Sequence, residues 1–183
     1  NTWWYQTNLT ATHPAQSQPF EWFLNIKPVW IAVDYSTPNM RADIYAVGNS
    51  LLFWFGGLSI FATLGVLVLH KFFKKKSTIL KKLTHPLLGM LLFAYCIVWL
   101  PWQLSPRIMF FYHYLPAVPL LSINLAYWLH VLWGYKKIRV LPVLIVVGIF
   151  THFVVWYPHL TLLPVSFEIK NTLYFALAVW KQQ

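Results

Sequence analysis

Acidic residues are almost absent: Glu21, Asp34, Asp43 and Glu168 are the only four in 183 residues. No two of them are spaced to work as a general acid and base, which excludes a self-contained carboxylate-driven hydrolase or transferase. Charge of either sign is scarce, at 10% of the chain, far below what a soluble domain of this length needs to cover its surface. Cysteine occurs once, as Cys96 within an apolar run, so there is neither an internal disulfide nor a cysteine-based metal site. A Gly-rich phosphate loop and a Ser-His-Asp order are also missing. The chain opens Asn1-Thr2-Trp3-Trp4-Tyr5, with neither Met nor a signal-peptide pattern, and is expected to be the C-terminal piece of a longer protein.

What is present is long, neutral and apolar. Hydrophobic residues make up 58% of the chain. No Lys, Arg, Asp or Glu occurs in residues 44–70, 83–106, 108–135 or 140–167. Each stretch exceeds the roughly 20 residues that cross a bilayer as a helix, the form that satisfies every backbone polar group without water. The expectation is an all-α integral membrane protein with four transmembrane helices, at about residues 48–69, 87–102, 110–133 and 140–157. The four-helix domain so defined covers 47–157, between an outer interfacial segment at 1–46 and an outer C-terminal segment at 158–183. Gly56-Gly57 in the first span, and Pro116 and Pro119 in the third, point to close packing, kinks or contact with a cavity.

Basic residues set the orientation. Lys71, Lys74, Lys75, Lys76, Lys81 and Lys82 fall between spans one and two, and Lys136, Lys137 and Arg139 between spans three and four. These short loops share one face, which the positive-inside rule makes cytoplasmic, with both termini outside or lumenal. The net charge of +10 is therefore an orientation signal, and no nucleic acid is expected as a partner.

Residues 1–46 interleave aromatic rings with Pro14, Pro19, Pro28 and Pro38. Rings favour the headgroup layer and prolines forbid one long helix, so an irregular segment on the outer membrane surface is expected. Asn8-Leu9-Thr10 is a glycosylation sequon. Beyond the fourth span, Pro158 and Pro164 are expected to break the helix, and the apolar stretch 171–180 is too short to cross.

Polar residues gather at the outer helix ends. Arg107 begins the third span and is followed by Tyr112, His113 and Tyr114; His152 and His159 lie near the outer end of the fourth, and His13 in the outer segment. A guanidinium there can fork onto a lipid phosphate or simply snorkel at a helix end. The histidines read either as packing residues or, for His113 and His152, as a haem pair between helices.

Several runs resemble a known family. Leu100-Pro101-Trp102, Arg107, Phe110 and Tyr112-His113-Tyr114-Leu115-Pro116-Ala117 resemble the "LPW…R…F.YHYLPA.P" stretch of the protein O-mannosyltransferases. His13-Pro14, Ser17, Trp22 and Lys27-Pro28-Val29-Trp30 are similar to that family's "HPY.S…W.WPL..RP.WY" segment, with Ala15 for Tyr and Lys27 for Arg. Gly48-Asn49-Ser50 with Phe53-Trp54 is similar to its "GNP..WW", with Ser for Pro and Phe for the first Trp. The matches run in the same order and cover most of residues 12–119.

The resemblance implies the C-terminal half of a GT-C-type glycosyltransferase that moves mannose from polyprenyl-phosphate mannose to protein Ser/Thr hydroxyls with inversion. It implies a catalytic Asp-Glu pair in the N-terminal half of the same enzyme, with no counterpart and hence no catalytic residue here. Arg107, Tyr112, His113 and Tyr114 become candidates for the lipid-phosphate and donor site, and His13 and Lys27 weaker ones. No cofactor or metal is implied. The membrane would be the bacterial cell membrane, or the endoplasmic reticulum in a eukaryote. Competing readings are another polyprenyl-phosphate-sugar transferase, such as a lipid A arabinosyltransferase relative, and a non-catalytic or haem-binding membrane subunit.

Overall fold

The computed structural model describes residue 4, residues 12–73 and residues 83–169. The sequon at 8–10, the lysines at 74–76 and 81–82, and the apolar stretch 171–180 lie outside the described residues. Among the described residues four helices are long and apolar enough to cross a membrane. The first is α1, Ser50–Phe73. The second is α2, Pro86–Trp99, continued by a 3-10 turn Leu100–Leu104. The third opens as a 3-10 helix, Phe111–Ala117, and becomes α3 over Val118–Trp133. A short 3-10 turn, Lys136–Ile138, leads into α4, Val140–Thr161.

The prolines explain the mixed third span. Pro116 sits inside the 3-10 helix, whereas Pro119 falls in the first turn of α3, where its missing N–H has no intrahelical partner to lose. The fourth helix departs from the expected break at Pro158: it continues through that residue to Thr161. One lost ladder bond does not end a helix whose next turn is held by packing. His159 is fully buried in that turn, edge-on to Tyr45 and tilted against Trp156. The helix stops instead at Leu162, which takes a left-handed conformation (φ 60°).

Residues 12–46 are more regular than their prolines suggest. Strands β1, Val29–Asp34, and β2, Met40–Ala46, pair antiparallel with an irregularity between Trp30 and Ala32. The run Val29-Trp30-Ile31-Ala32-Val33 is β-branched and aromatic, and Pro28 and Pro38 bound the hairpin from outside its ladder. Asp34 closes its end by accepting from the Ser36 amide (2.8 Å) and hydroxyl (2.9 Å), which holds its carboxyl below the usual range. After α4 the chain returns as β3, Val165–Ser166, which pairs with β2 at Met40 and Arg41. The segments before α1 and after α4 therefore meet at one end of the bundle. The buried Asp43 accepts from Arg41 Nε (2.8 Å) and Trp30 Nε1 (3.1 Å), and the Arg41 guanidinium lies 4.8 Å over the Trp30 ring. Burial, reinforced by the Asp43 charge, pushes the neighbouring Tyr45 phenol up to about 12.

Helix α1 is the hub. A third of its membrane window (33%) is buried, against 11% for the second and fourth spans. Gly56 permits this: a Cβ there would collide with Leu121 of α3. The main core lies toward the start of α1, where Trp22, Phe53, Tyr95, Phe111, Tyr114 and Leu121 pack together.

A candidate donor-site face at the outer end

The face at the hairpin end of the bundle is built by stapling residues 12–25 across the second and third spans. The Ser17 amide donates to the Met109 carbonyl (2.9 Å), and Trp99 Nε1 donates to the Pro19 carbonyl (3.0 Å). Trp22 Nε1 donates to the Ser17 hydroxyl (2.9 Å), burying the indole with its polar atom satisfied. Asn25, fully buried in a left-handed conformation (φ 55°), closes the segment onto the start of α1. Its amide donates to the Gly48 carbonyl (2.8 Å) and the Ser50 hydroxyl (2.9 Å), and its oxygen accepts from the Gly48 amide (3.0 Å).

On that scaffold stands a continuous stack of rings. His13 meets Phe110 edge-on at 5.3 Å, Phe110 stacks on Tyr112 at 5.4 Å, and Tyr112 stacks on His113 at 4.7 Å. His113 in turn lies parallel to Trp22 at 6.2 Å and edge-on to Trp102 at 4.7 Å. Its Nδ1 sits 2.9 Å from the Phe110 carbonyl. With the proton on Nδ1 this is a hydrogen bond, leaving Nε2 as the acceptor nitrogen. Three sequence candidates, His13, Tyr112 and His113, are thus brought into one structure.

The other three separate from it. Tyr114 is 1% exposed, with its hydroxyl 2.6 Å from that of Tyr95 and its ring edge-on to Phe53, so it packs the core beneath the stack. Lys27 pairs with Glu21 at 3.8 Å, while Glu21 also accepts from the Gln18 amide at 2.7 Å and caps the short 3-10 helix Pro19–Leu24. Arg107 is half-buried in the turn before Met109, and its Nε reaches only the Ile108 carbonyl, at 3.5 Å. Among the described residues no carboxylate pairs with it. A guanidinium keeps several N–H donors in a planar fork that matches carboxylate and phosphate geometry.

His113 and His152 do not share a site. His152 stacks on Trp156 at 6.1 Å and lines a separate cleft of about 210 Å³ with Val47, Asn49 and Leu160. Among the described residues no group of three His, Cys, Asp or Glu is placed to hold a metal ion. Sequence reasoning missed Asn25 and a second polar device deep in the bundle. Asn124, fully buried on α3, accepts from the Thr63 hydroxyl (2.9 Å) and donates to the Ser59 hydroxyl (2.8 Å), while Trp128 Nε1 donates to Thr63 (2.9 Å). The signal was there to read: Ser59 and Thr63 are four residues apart, one face of α1.

Known proteins resemble this chain in sequence and in fold. A family model described as the C-terminal four TMM region of protein-O-mannosyltransferase matches residues 1–177. Dolichyl-phosphate-mannose–protein mannosyltransferase 4 of Saccharomyces cerevisiae is 28% identical over 118 residues, covering 62% of this chain and 15% of the relative. Its counterpart numbered 1 in Candida albicans is 29% identical over 143 residues, 75% of this chain and 16% of the relative. In fold, the chain is similar to the S. cerevisiae protein O-mannosyltransferase Pmt1–Pmt2 complex bound to the sugar donor, with a TM-score of 0.70 and 21% identity over 97% of this chain and 25% of that one. The chain thus spans about a sixth of the length of the curated relatives it matches. With four helices long and apolar enough to cross a membrane and a family match over nearly the whole sequence, this chain belongs to the protein O-mannosyltransferases, as their C-terminal four-transmembrane region.

Proposed function

We propose that the full-length protein transfers mannose from a polyprenyl-phosphate carrier to Ser or Thr hydroxyls of proteins, and that this region forms one wall of the donor site. The observation that carries the activity is the family match across residues 1–177. The curated relatives are named for dolichyl-phosphate mannose and protein acceptors, and dolichyl phosphate is a polyprenyl-type carrier. The catalytic carboxylates belong to the N-terminal half of the enzyme. Here Asp43 is tied to Arg41, Glu21 to Lys27 and Asp34 to its own turn, which are structural duties.

In this reading Arg107 receives the carrier phosphate at the outer headgroup level, and the rings from His13 to Trp102 supply an apolar surface at the same end of the bundle. His113 acts by holding the stack in register through its bond to Phe110. The basic loops face the cytoplasm and the hairpin faces outward or into the lumen, in the cell membrane of a bacterium or the endoplasmic reticulum of a eukaryote.

Arg107 provides the test. Arg107→Ala in the full-length enzyme is expected to raise the donor KM by about tenfold to a hundredfold, the size of a charge-assisted contact of roughly 1.5–3 kcal/mol, with the acceptor KM unchanged. Arg107→Lys is expected to recover only part of it, because an ammonium keeps the charge and loses the fork. Full rescue by Lys would reduce Arg107 to an interfacial anchor.

A further inference from the structure

A crevice lies toward the opposite end of the bundle from the ring stack. It has a volume of about 260 Å³ and opens between α1, α3 and α4, with walls that include Leu58, Leu125, Trp128, Leu132, Leu141 and Ile145. It extends from the middle of α1 to the ends of α3 and α4 that adjoin the turn joining them. Its walls present no unmet polar group. The Ser59 hydroxyl is committed to the Gly56 carbonyl (2.6 Å) and to Asn124, and Trp128 Nε1 to Thr63. An occupant therefore gains nothing from hydrogen bonding within the crevice and needs only apolar, flexible volume.

The mouth is different. Leu132 and Leu141, both lining the crevice, flank the turn that carries Lys136, Lys137 and Arg139, all three exposed. Arg139 is held at that mouth: its Nε donates to the Trp133 carbonyl (3.2 Å) and its guanidinium lies 5.3 Å over the Trp133 ring. All four acids of the chain sit in the outer segments, at the far end of the bundle. Among the described residues no carboxylate pairs with Lys136, Lys137 or Arg139.

We propose that this crevice is a binding site for one anionic phospholipid of the cytoplasmic leaflet, its acyl chain in the groove and its phosphate on Lys136, Lys137 and Arg139. A cationic turn above an apolar slot between helices selects such a lipid over a zwitterionic one, because three uncompensated charges meet the net negative headgroup at the depth where it lies. The site is separate from the donor wall and independent of the transferase reading.

The full-length protein in nanodiscs can be irradiated with phosphatidylserine or phosphatidylcholine carrying a diazirine in the acyl chain, and adducts mapped by peptide mass spectrometry. Phosphatidylserine is expected to label the peptides containing Leu125–Leu132 and Leu141–Ile145 on the order of tenfold more than phosphatidylcholine, from roughly fivefold per basic contact less competition by bulk lipid. Lys136→Glu combined with Lys137→Glu is expected to abolish that preference, and Ile145→Trp to suppress labelling by both lipids. Equal labelling by the two lipids in the wild-type protein would overturn the headgroup assignment. No labelling of either peptide would mean that a protein segment fills the crevice, and would overturn the proposal as a whole. If a variant fails to fold, the wild-type comparison still decides.

Discussion

The hydroxyls of Tyr95 and Tyr114 meet at 2.6 Å in the core, where α2 passes the 3-10 start of the third span. Each supplies the other's hydrogen bond in a place water does not reach. Tyr114, which the sequence offered as a site candidate, is packed under the ring stack.

Tyr114→Phe is expected to lower stability by about 1 kcal/mol, leaving the Tyr95 hydroxyl unsatisfied, while Tyr95→Phe with Tyr114→Phe costs less than the two single changes together. Thermal unfolding in detergent measures this. Donor KM in the single variant should stay at the wild-type value, and a tenfold rise would return Tyr114 to the site.

The Asn124 network is expected to couple α1 to α3. A double-mutant cycle of Asn124→Ala with Thr63→Val should give a coupling of roughly 0.6 to 1.7 kcal/mol, the range of interhelical hydrogen bonds in membranes. Additivity within error would mean that the helices are held by packing around Gly56 alone.

Orientation can be checked in a Cys96→Ser background. Cysteine placed at Asn39, in the hairpin turn, should react with an impermeant thiol reagent from the outer or lumenal side, and cysteine at Lys137 should be protected. The reverse pattern would invert the protein and move the ring stack to the cytoplasm.

Expressed alone, this chain is expected to give no mannosyl transfer from polyprenyl-phosphate mannose to a Ser/Thr peptide, because Glu21, Asp34 and Asp43 are occupied in ion pairs, caps and turns. Radiolabelled donor provides the assay. Measurable turnover would make one of the chain's own acids the base.

His113→Ala is expected to disturb the stack and raise donor KM several-fold, with His113→Phe restoring part of the loss by keeping the ring–ring contacts, each worth about 0.5–1.5 kcal/mol. Equal effects of the two changes would assign the role to the Phe110 hydrogen bond instead.

The number of helices and their approximate bounds were legible in the sequence. A 20-residue gap in charge is a local property, and the bilayer admits one local answer to it. The sequence placed Tyr112, His113, Tyr114 and Arg107 near one helix end, because that follows from chain position alone. What the sequence could not decide was which side each residue takes. Tyr112 and Tyr114 differ by two positions in a 3-10 turn, yet one stacks outside on His113 and the other is buried against Tyr95. Nor could prolines counted along residues 1–46 reveal the hairpin, because a strand is completed by partners, and β2 finds one of them at Val165, beyond the whole bundle. The continuation of α4 through Pro158 follows the same logic. A proline removes one bond locally, and the packing of His159 against Tyr45, more than a hundred residues away, decides whether the helix goes on.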